Sequence, residues 1–420
     1  MRRKLFVILL SFTLLQVNAQ VKDVNTNETG EDYDTEMPES MRSNIESQYN
    51  IWLKKNLISF ENDCMSTNKS PVVADSLIID RLSRIPTVIE MPFNEEVKKY
   101  ITRYANSLRT KVSFMLGASN LYVPTFEKAL DLYNLPIELK YLPVIESALD
   151  PLAVSRQGAT GLWQFMLTTG KKYGLKHNSL IDERRDPIKS TWAAVNYLKD
   201  LYDIYSDWNL VLAAYNSGPG TVNKAIQRAG GVKDYWKICR FLPKETRGYV
   251  PAFIAANYIM TYYCEHGICP MTNELPETTD TIQINRDLHF SQVAEVCKVD
   301  IEELRVLNPQ YKKDLIPGNS FACSLSLPSQ NVALFVNNEK TIFDYKSDEL
   351  FTKRREVEVD KSETKTTHSS SRKAKVRHKV RRGETLGTIA DKYGVSVSKL
   401  KKLNHIRGSK ITAGKTLKIR

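Results

Sequence analysis

Three short runs and one isolated residue of this 420-residue chain carry side chains suited to chemistry on a sugar: Glu146-Ser147, Gly161-Leu162-Trp163-Gln164, Ala214-Tyr215-Asn216 and Tyr249. Glu146 follows the apolar stretch Tyr141-Leu142-Pro143-Val144-Ile145, which predicts a carboxyl at a helix end, partly buried against apolar walls. Desolvation there favours the neutral acid, and a neutral carboxylic acid can donate a proton to a glycosidic oxygen. The amides of Gln164 and Asn216 offer donors and acceptors for acetamido and hydroxyl groups. Tyr215 and Tyr249 can lay a ring on a pyranose face and bring a phenol near the carboxyl. An isolated glutamate at a helix end is more often a solvated surface charge; it is the ordered runs downstream that give Glu146 a different meaning.

Glycosidases ordinarily use two carboxylates, one as acid and one as nucleophile or base. No second carboxylate is identified for this cleft. Asp150 is near in sequence but precedes Pro151, which reads as a turn or cap. Gly158, Gly161, Gly218 and Gly220 read as turn makers, and Asp182 to Asp186 as a structural ion-pair loop.

Five blocks in order carry a resemblance to a known family. They are Leu142 to Ala148, Gly158 to Met166, Asp182 to Pro187, Ala213 to Gly220 and Glu245 to Val250. The run from about Leu135 to Tyr263 resembles the lysozyme-like catalytic domain of the lytic murein transglycosylases, most closely the branch called D, in which Trp163 stands where many relatives have Met. The resemblance implies cleavage of the MurNAc-β-1,4-GlcNAc bond with Glu146 as acid and then base. It also implies Ser147, Gln164, Tyr215, Asn216 and Tyr249 as substrate-binding residues, with fixing the carboxyl rotamer as the alternative role of Ser147. One carboxylate then suffices, because the C6 hydroxyl of the muramic residue attacks from within the substrate and no water has to be held. The product would be a 1,6-anhydromuramic end. A lysozyme-type hydrolase acting on the same bond, or a wall-binding scaffold without catalysis, are the alternatives.

The elements that must position these residues read as mainly α. Val97, Ile101, Tyr104, Leu108, Val112 and Met115 recur at helical spacing and predict one long amphipathic helix, N-capped by Asn94 with Glu95 and Glu96 in its first turn. A second helix is expected from near Thr125 to Leu132. Residues 45–134 thus form a helical platform for a catalytic domain at 135–270. The chain also repeats itself at an offset of 96 residues: Phe290, Val293, Ala294, Cys297, Val299, Ile301, Leu304, Leu307 and Asn308 fall on Leu386, Ile389, Ala390, Tyr393, Val395, Val397, Leu400, Leu403 and Asn404. The second copy, 378–420, resembles the LysM module, a small βααβ unit that binds N-acetylglucosamine-containing glycans. The first, 281–328, is a degenerate copy in which Asp287-Leu288-His289 replaces Gly383-Glu384-Thr385, so the loop that would touch sugar is altered. Residues 329–377 are expected to be a linker between them, whose polar run Lys361 to Ser371 reads as flexible.

Charge and composition set the context. From Ser371 to Arg420 there are 16 Lys and Arg against two acids, a net +14, so the other 370 residues sum to about −2 within the total of +12. Basicity confined to the tail points to a polyanion. Met1-Arg2-Arg3-Lys4, the apolar run Leu5 to Leu15 and Val17-Asn18-Ala19 read as a signal peptide at 1–19, the apolar run being well short of the roughly 20 residues a membrane-spanning helix needs. Export makes nucleic acid a poor partner. Anionic wall peptides or an anionic envelope face, with peripheral association, replace it. Residues 20–44, acidic and poor in aliphatics, are expected to be disordered. Six cysteines allow disulfides without fixing their pairing. Cys264-Glu265-His266-Gly267-Ile268-Cys269 has no second ligand pair nearby, and neither a metal nor a cofactor is expected.

Overall fold

A computed structural model describes residues 24–26, 32–42, 69–271, 276, 278–351 and most of 377–418. Residues 1–19, expected to be a signal peptide, and the run Lys361 to Ser371, expected to be a flexible linker, lie outside the described residues. The fold is mainly α, with two-stranded sheets and isolated β-bridges as its β-structure among the described residues. Two compact units divide the chain, residues 1–353 and 354–420.

The N-terminal segment departs from the disorder expected for 20–44. Strands β1 (Val24–Thr26) and β2 (Asp32–Asp34) pair antiparallel, and a strap follows, with a short helix α1 (Glu39–Arg42). Its ordering comes from main-chain and side-chain bonds that composition does not reveal. The Glu36 amide donates to Lys244 O at 3.0 Å, the Ser40 hydroxyl to Ile145 O, and the Lys111 ammonium to Ser40 O, while Met41 is buried in the core.

Helix α2 (Asp75–Arg84) leads to α3 (Glu95–Ala105), which starts as expected, with Asn94 Oδ1 accepting from the Val97 amide at 2.9 Å. The single long helix expected through Met115 is instead two. The chain breaks at Asn106–Leu108, where the Asn106 side-chain amide turns back to Thr102 O, and restarts as α4 (Arg109–Leu132). The helix expected near Thr125 is the last third of α4, which continues through Pro124; a proline removes one helical hydrogen bond, and packing of the buried residues around it carries the helix past the gap. Then follow α5 (Leu142–Ser147), α6 (Leu167–Lys172), α7 (Pro187–Tyr205), α8 (Trp208–Ser217), α9 (Pro219–Arg228), α10 (Tyr235–Ile238) and α11 (Lys244–Thr261).

Helix α11 is the axis of the core, buried continuously from Gly248 to Met260 and packed against α3, α5 and α8. Its approach to its neighbours is close enough that a Cβ on Gly248 would lie 2.2 Å from the Tyr100 hydroxyl and 2.8 Å from Glu36 O. Trp163 is wholly buried, edge-on to Phe126 at 5.1 Å, with its indole N–H donated to Thr191 Oγ1 at 2.9 Å. Burying that donor without a partner would cost about 1–3 kcal/mol, so Thr191 is part of what fixes the tryptophan.

The first repeat copy folds as β3 (Thr279–Ile284), β4 (Asp287–His289), α12 (Phe290–Cys297), α13 (Ile301–Leu307), β5 (Leu315–Pro317) and β6 (Cys323–Pro328). Strands β3 and β6 pair antiparallel from Thr279↔Pro328 to Ile284↔Cys323, and β4 pairs with β5. The region expected to be linker begins with helices α14 (Ser329–Asn337), α15 (Glu339–Asp344) and α16 (Ser347–Leu350). The first two pack on the module through buried Phe335, Ile342 and Phe343, which explains why this stretch is ordered. The second copy comprises β7 (Arg377–Lys379), α17 (Leu386–Lys392), α18 (Val397–Leu403) and β8 (Thr416–Lys418), with Arg377↔Lys418 and His378↔Leu417 in register.

Candidate active site

Glu146 occupies the last turn of α5, and the helix stops hard after it because Ala148 and Leu149 both take left-handed backbone angles, φ 53° and 60°. That abrupt end keeps the carboxyl at the mouth of the helix. It opens into a cavity of about 480 Å³ lined by Glu146, Gln164, Tyr215, Asn216 and Tyr249, among others. Tyr249 comes from α11 and donates its phenol to Glu146 Oε1.

The electrostatics favour a protonated acid. Desolvation pushes the Glu146 carboxyl up to about 8; the Tyr249 hydrogen bond opposes the shift and the charge of Glu245 adds to it. Burial, with the charge of Glu146 second, holds the phenols of Tyr215 and Tyr249 well above their usual range, so both remain hydrogen-bond donors.

The opposite wall is a tight turn. Thr160 and Phe165 exchange backbone bonds at 3.0 and 3.1 Å, and Gln164 between them adopts φ 47°. The Gln164 amide nitrogen donates to Gly161 O at 2.8 Å and Ala153 O at 3.2 Å, which occupies its donor side; its oxygen is the atom left to serve a ligand. Tyr215 donates to Trp163 O at 2.7 Å, which ties α8 to this turn, so its phenol is not bonded to the carboxyl. Its ring lies 5.3 Å from that of Tyr197, which also lines the cavity. Asn216 Oδ1 accepts from the Thr246 hydroxyl at 2.8 Å. Ser147 is the exception to the expected set. It is buried off the cavity, and its hydroxyl serves Pro143 O at 3.1 Å and Leu162 O at 2.9 Å, joining α5 to the Gln164 turn. The side chain after Glu146 on a helix points some 100° away from it, which is why adjacency in sequence does not make a neighbour in the cleft.

Two carboxylates on the wall were not identified from sequence. Glu245 stands in the Glu245 to Val250 block yet was not assigned to the cleft, and its charge acts on Glu146. Glu39 arrives from the strap with Pro38, and its Oε1 accepts from the Arg156 amide at 3.2 Å. Nothing in the polar segment around Glu39 signals a cleft residue. Among the described residues no three His, Cys, Asp or Glu side chains group to hold a metal. Cys269 is disulfide-bonded, whereas Cys239, Cys264, Cys297 and Cys323 are free thiols, so Cys264 is not paired with Cys269 nor Cys297 with Cys323.

The helical domain thus presents one raised carboxyl beside a tyrosine, over a cleft walled by amides and phenols. The family model described as transglycosylase SLT domain matches residues 124–238, that of the lytic transglycosylase MltD LysM-like domain matches 278–344, and that of the LysM domain matches 378–420. In its domain content the chain is similar to the membrane-bound lytic murein transglycosylase D proteins. It is 32% identical over 290 residues to the membrane-bound lytic murein transglycosylase D of Escherichia coli K12, covering 68% of this chain and 60% of the relative; it therefore spans less than two thirds of that relative's length. A putative tributyltin chloride resistance protein of Alteromonas is 35% identical over 129 residues, 29% of this chain and 62% of its own. The solved structure of the 70 kDa soluble lytic transglycosylase of Escherichia coli matches at 28% identity over 34% of this chain and 24% of its own, with a TM-score of 0.30.

Proposed function

We propose that the chain is a peptidoglycan lytic transglycosylase that cuts the MurNAc-β-1,4-GlcNAc bond without water. The observation that carries this reading is the Glu146 carboxyl, lifted to about 8 by desolvation and held by Tyr249 at the cleft. At neutral pH such a group is mostly a neutral acid. It gives its proton to the bridging oxygen as the bond from that oxygen to the muramic C1 breaks. The C6 hydroxyl of the same residue closes on C1, and the Glu146 carboxylate takes the hydroxyl proton, so the acid is restored and a 1,6-anhydro ring remains. Gln164 Oε1 and Asn216 are the acetamido and hydroxyl partners in this reading, the rings of Tyr215 and Tyr249 the sugar platforms, and Ser147 a brace.

Export through residues 1–19, action at the cell envelope on glycan strands, and tethering by the module at 378–420 complete the proposal. The matches to SLT and LysM domains and to a relative named as membrane-bound support its envelope and glycan parts. A second reading, a lysozyme-type hydrolase, draws support from Glu245 and Glu39, either of which lies on the cavity wall where a base could activate water. Digestion of purified murein in ¹⁸O-water separates the two. The proposal expects muropeptides lighter than hydrolytic ones by one water and free of label at the muramic end; predominantly labelled reducing ends would replace it with the hydrolase.

A further inference from the structure

The first repeat copy is fused to the catalytic domain through one loop on each side. Ile181, which precedes α7 in the catalytic domain, is buried in the hydrophobic core of the module together with Leu288, Phe290 and Tyr311. Ile181 and Tyr311 form an antiparallel bridge. Backbone bonds flank it, from the Asp182 amide to Gln310 O at 2.8 Å and from the Lys312 amide to Leu180 O at 2.9 Å. The Lys312 ammonium adds a bond to Asn178 O at 2.6 Å, and Lys176 lies over the Phe321 ring at 4.1 Å. A core that borrows a side chain from its neighbour is not an independent tether, since undocking would leave a hole in it.

The residue next to this bridge runs straight to the cleft. Asp182 accepts a two-pronged bond from Arg184, Nε to Oδ1 at 2.9 Å and Nη2 to Oδ2 at 2.8 Å. The remaining nitrogen, Nη1, donates to Gly158 O at 3.0 Å and Phe165 O at 3.1 Å, the two carbonyls that frame the Gln164 turn. Both side chains are buried, and the turn presses on the arginine so closely that a Cβ on Gly161 would meet Arg184 O at 1.9 Å. Planar, fixed donors make arginine the residue for such a clamp, and lysine cannot reproduce it.

We propose that the module at 279–328 is a buttress of the cleft and that Arg184 is a positioning residue, holding the Gln164 turn in register through Asp182 against Gln310 and Ile181 against the module core. The loop 308–312 that a free module would present is taken up by the catalytic domain, so glycan tethering falls to the second copy. This assignment deepens the transglycosylase reading, but its physical test does not depend on it.

The test is amide hydrogen exchange by mass spectrometry on the full chain, with turnover of soluble glycan fragments measured in parallel, for Ile181→Ala, Lys312→Ala and Arg184→Lys. Ile181→Ala and Lys312→Ala should raise exchange in 177–183, in 308–312 and, by about tenfold or more, in 158–166, while α11 keeps its protection. Arg184→Lys, which leaves the docked loops in place, should raise it in 158–166 alone. Loss of kcat/KM should follow the exchange in 158–166 across the series. Because exchange is read without substrate, a chain inactive on murein would still show the coupling. The proposal is overturned if 177–183 and 308–312 open tenfold while 158–166 and turnover stay as in the parent, or if protection falls equally throughout α11.

Discussion

The two βααβ copies share a scaffold and have opposite circumstances. Their helices begin 96 residues apart, α12 against α17 and α13 against α18. Asn308 and Asn404 make the same three bonds: Nδ2 to the carbonyl four residues back (Leu304, Leu400), Nδ2 to a carbonyl of the last strand (Ser326, Lys418), and Oδ1 from the amide of that same strand residue. Even the caps correspond, His289 with Gln292 in one copy and Thr385 with Thr388 in the other. Yet the first copy is closed by Ile181 and α14–α15, whereas the second belongs to a separate compact unit with a core of its own around Ile389, Leu400 and Leu417. What differs is the surface chemistry laid on one fold. A repeat can keep its internal hydrogen-bond frame and still exchange a binding face for a docking face.

The sharpest way to break the distinction is to remove the chemistry that the first copy is said to support. Glu146→Gln should lower turnover by about 10²–10⁴-fold while sacculus binding through the second copy is kept. In that background Ile181→Ala should cost no further turnover, since nothing catalytic is left to misplace. The same variant reads the raised carboxyl as stability. Between about pH 4.5 and pH 8 the folded chain keeps a proton on Glu146 that the unfolded chain has lost, so folding binds protons and the parent loses stability as pH rises through that window. Gln carries no such penalty. Chemical denaturation should show the two chains equal near pH 4 and Glu146→Gln more stable above pH 8, by on the order of 1–3 kcal/mol once solvent at the open cleft is allowed for. Equal stability at pH 8 would mean that the carboxyl is not desolvated.

The next test acts on the second copy. Deleting residues 372–420 should weaken activity and binding on insoluble sacculi by about tenfold, by loss of effective concentration, and make the remaining binding less sensitive to salt. Cleavage of short soluble fragments should change less than twofold. Equal loss on both substrates would make the second copy, like the first, part of the catalytic unit.

How far the sequence foretold all this depends on what kind of contact does the positioning. Glu146, Gln164, Tyr215, Asn216 and Tyr249 share one cavity because each lies in a run whose residue types are set by chemistry. The 96-residue repeat was legible because the core periodicity survives in both copies. Adjacency to Glu146 suggests a cleft position for Ser147 that the helix geometry does not give it, and nothing in its block sets Glu245 apart as a cleft residue. The strap with Glu39 and the docking loop were not legible. Their order rests on backbone bonds such as Glu36 to Lys244 and Asp182 to Gln310, which any residue can make and which leave no pattern in side-chain types. The break between α3 and α4 was hidden for the converse reason: the apolar period runs on through Leu108 although the hydrogen bonds do not.

The smallest effect compares the matched asparagines. Asn308 is fully buried, so Asn308→Ala leaves the Ser326 amide and two carbonyls without that partner at a site water reaches less readily than the one at Asn404; such groups cost about 1–3 kcal/mol, and a loss near 2 kcal/mol is expected. Asn404 makes the same bonds half-buried, where water can replace the lost partner, and Asn404→Ala should cost about 1 kcal/mol. Local exchange at Ser326 and Lys418 reads each module separately. The difference of about 1 kcal/mol is the contribution of the docked surroundings alone, because the frame is the same in both copies. If the two substitutions open their strands equally, water reaches Asn308 as readily as Asn404, and the first copy is not the closed, docked body that its packing against Ile181 describes.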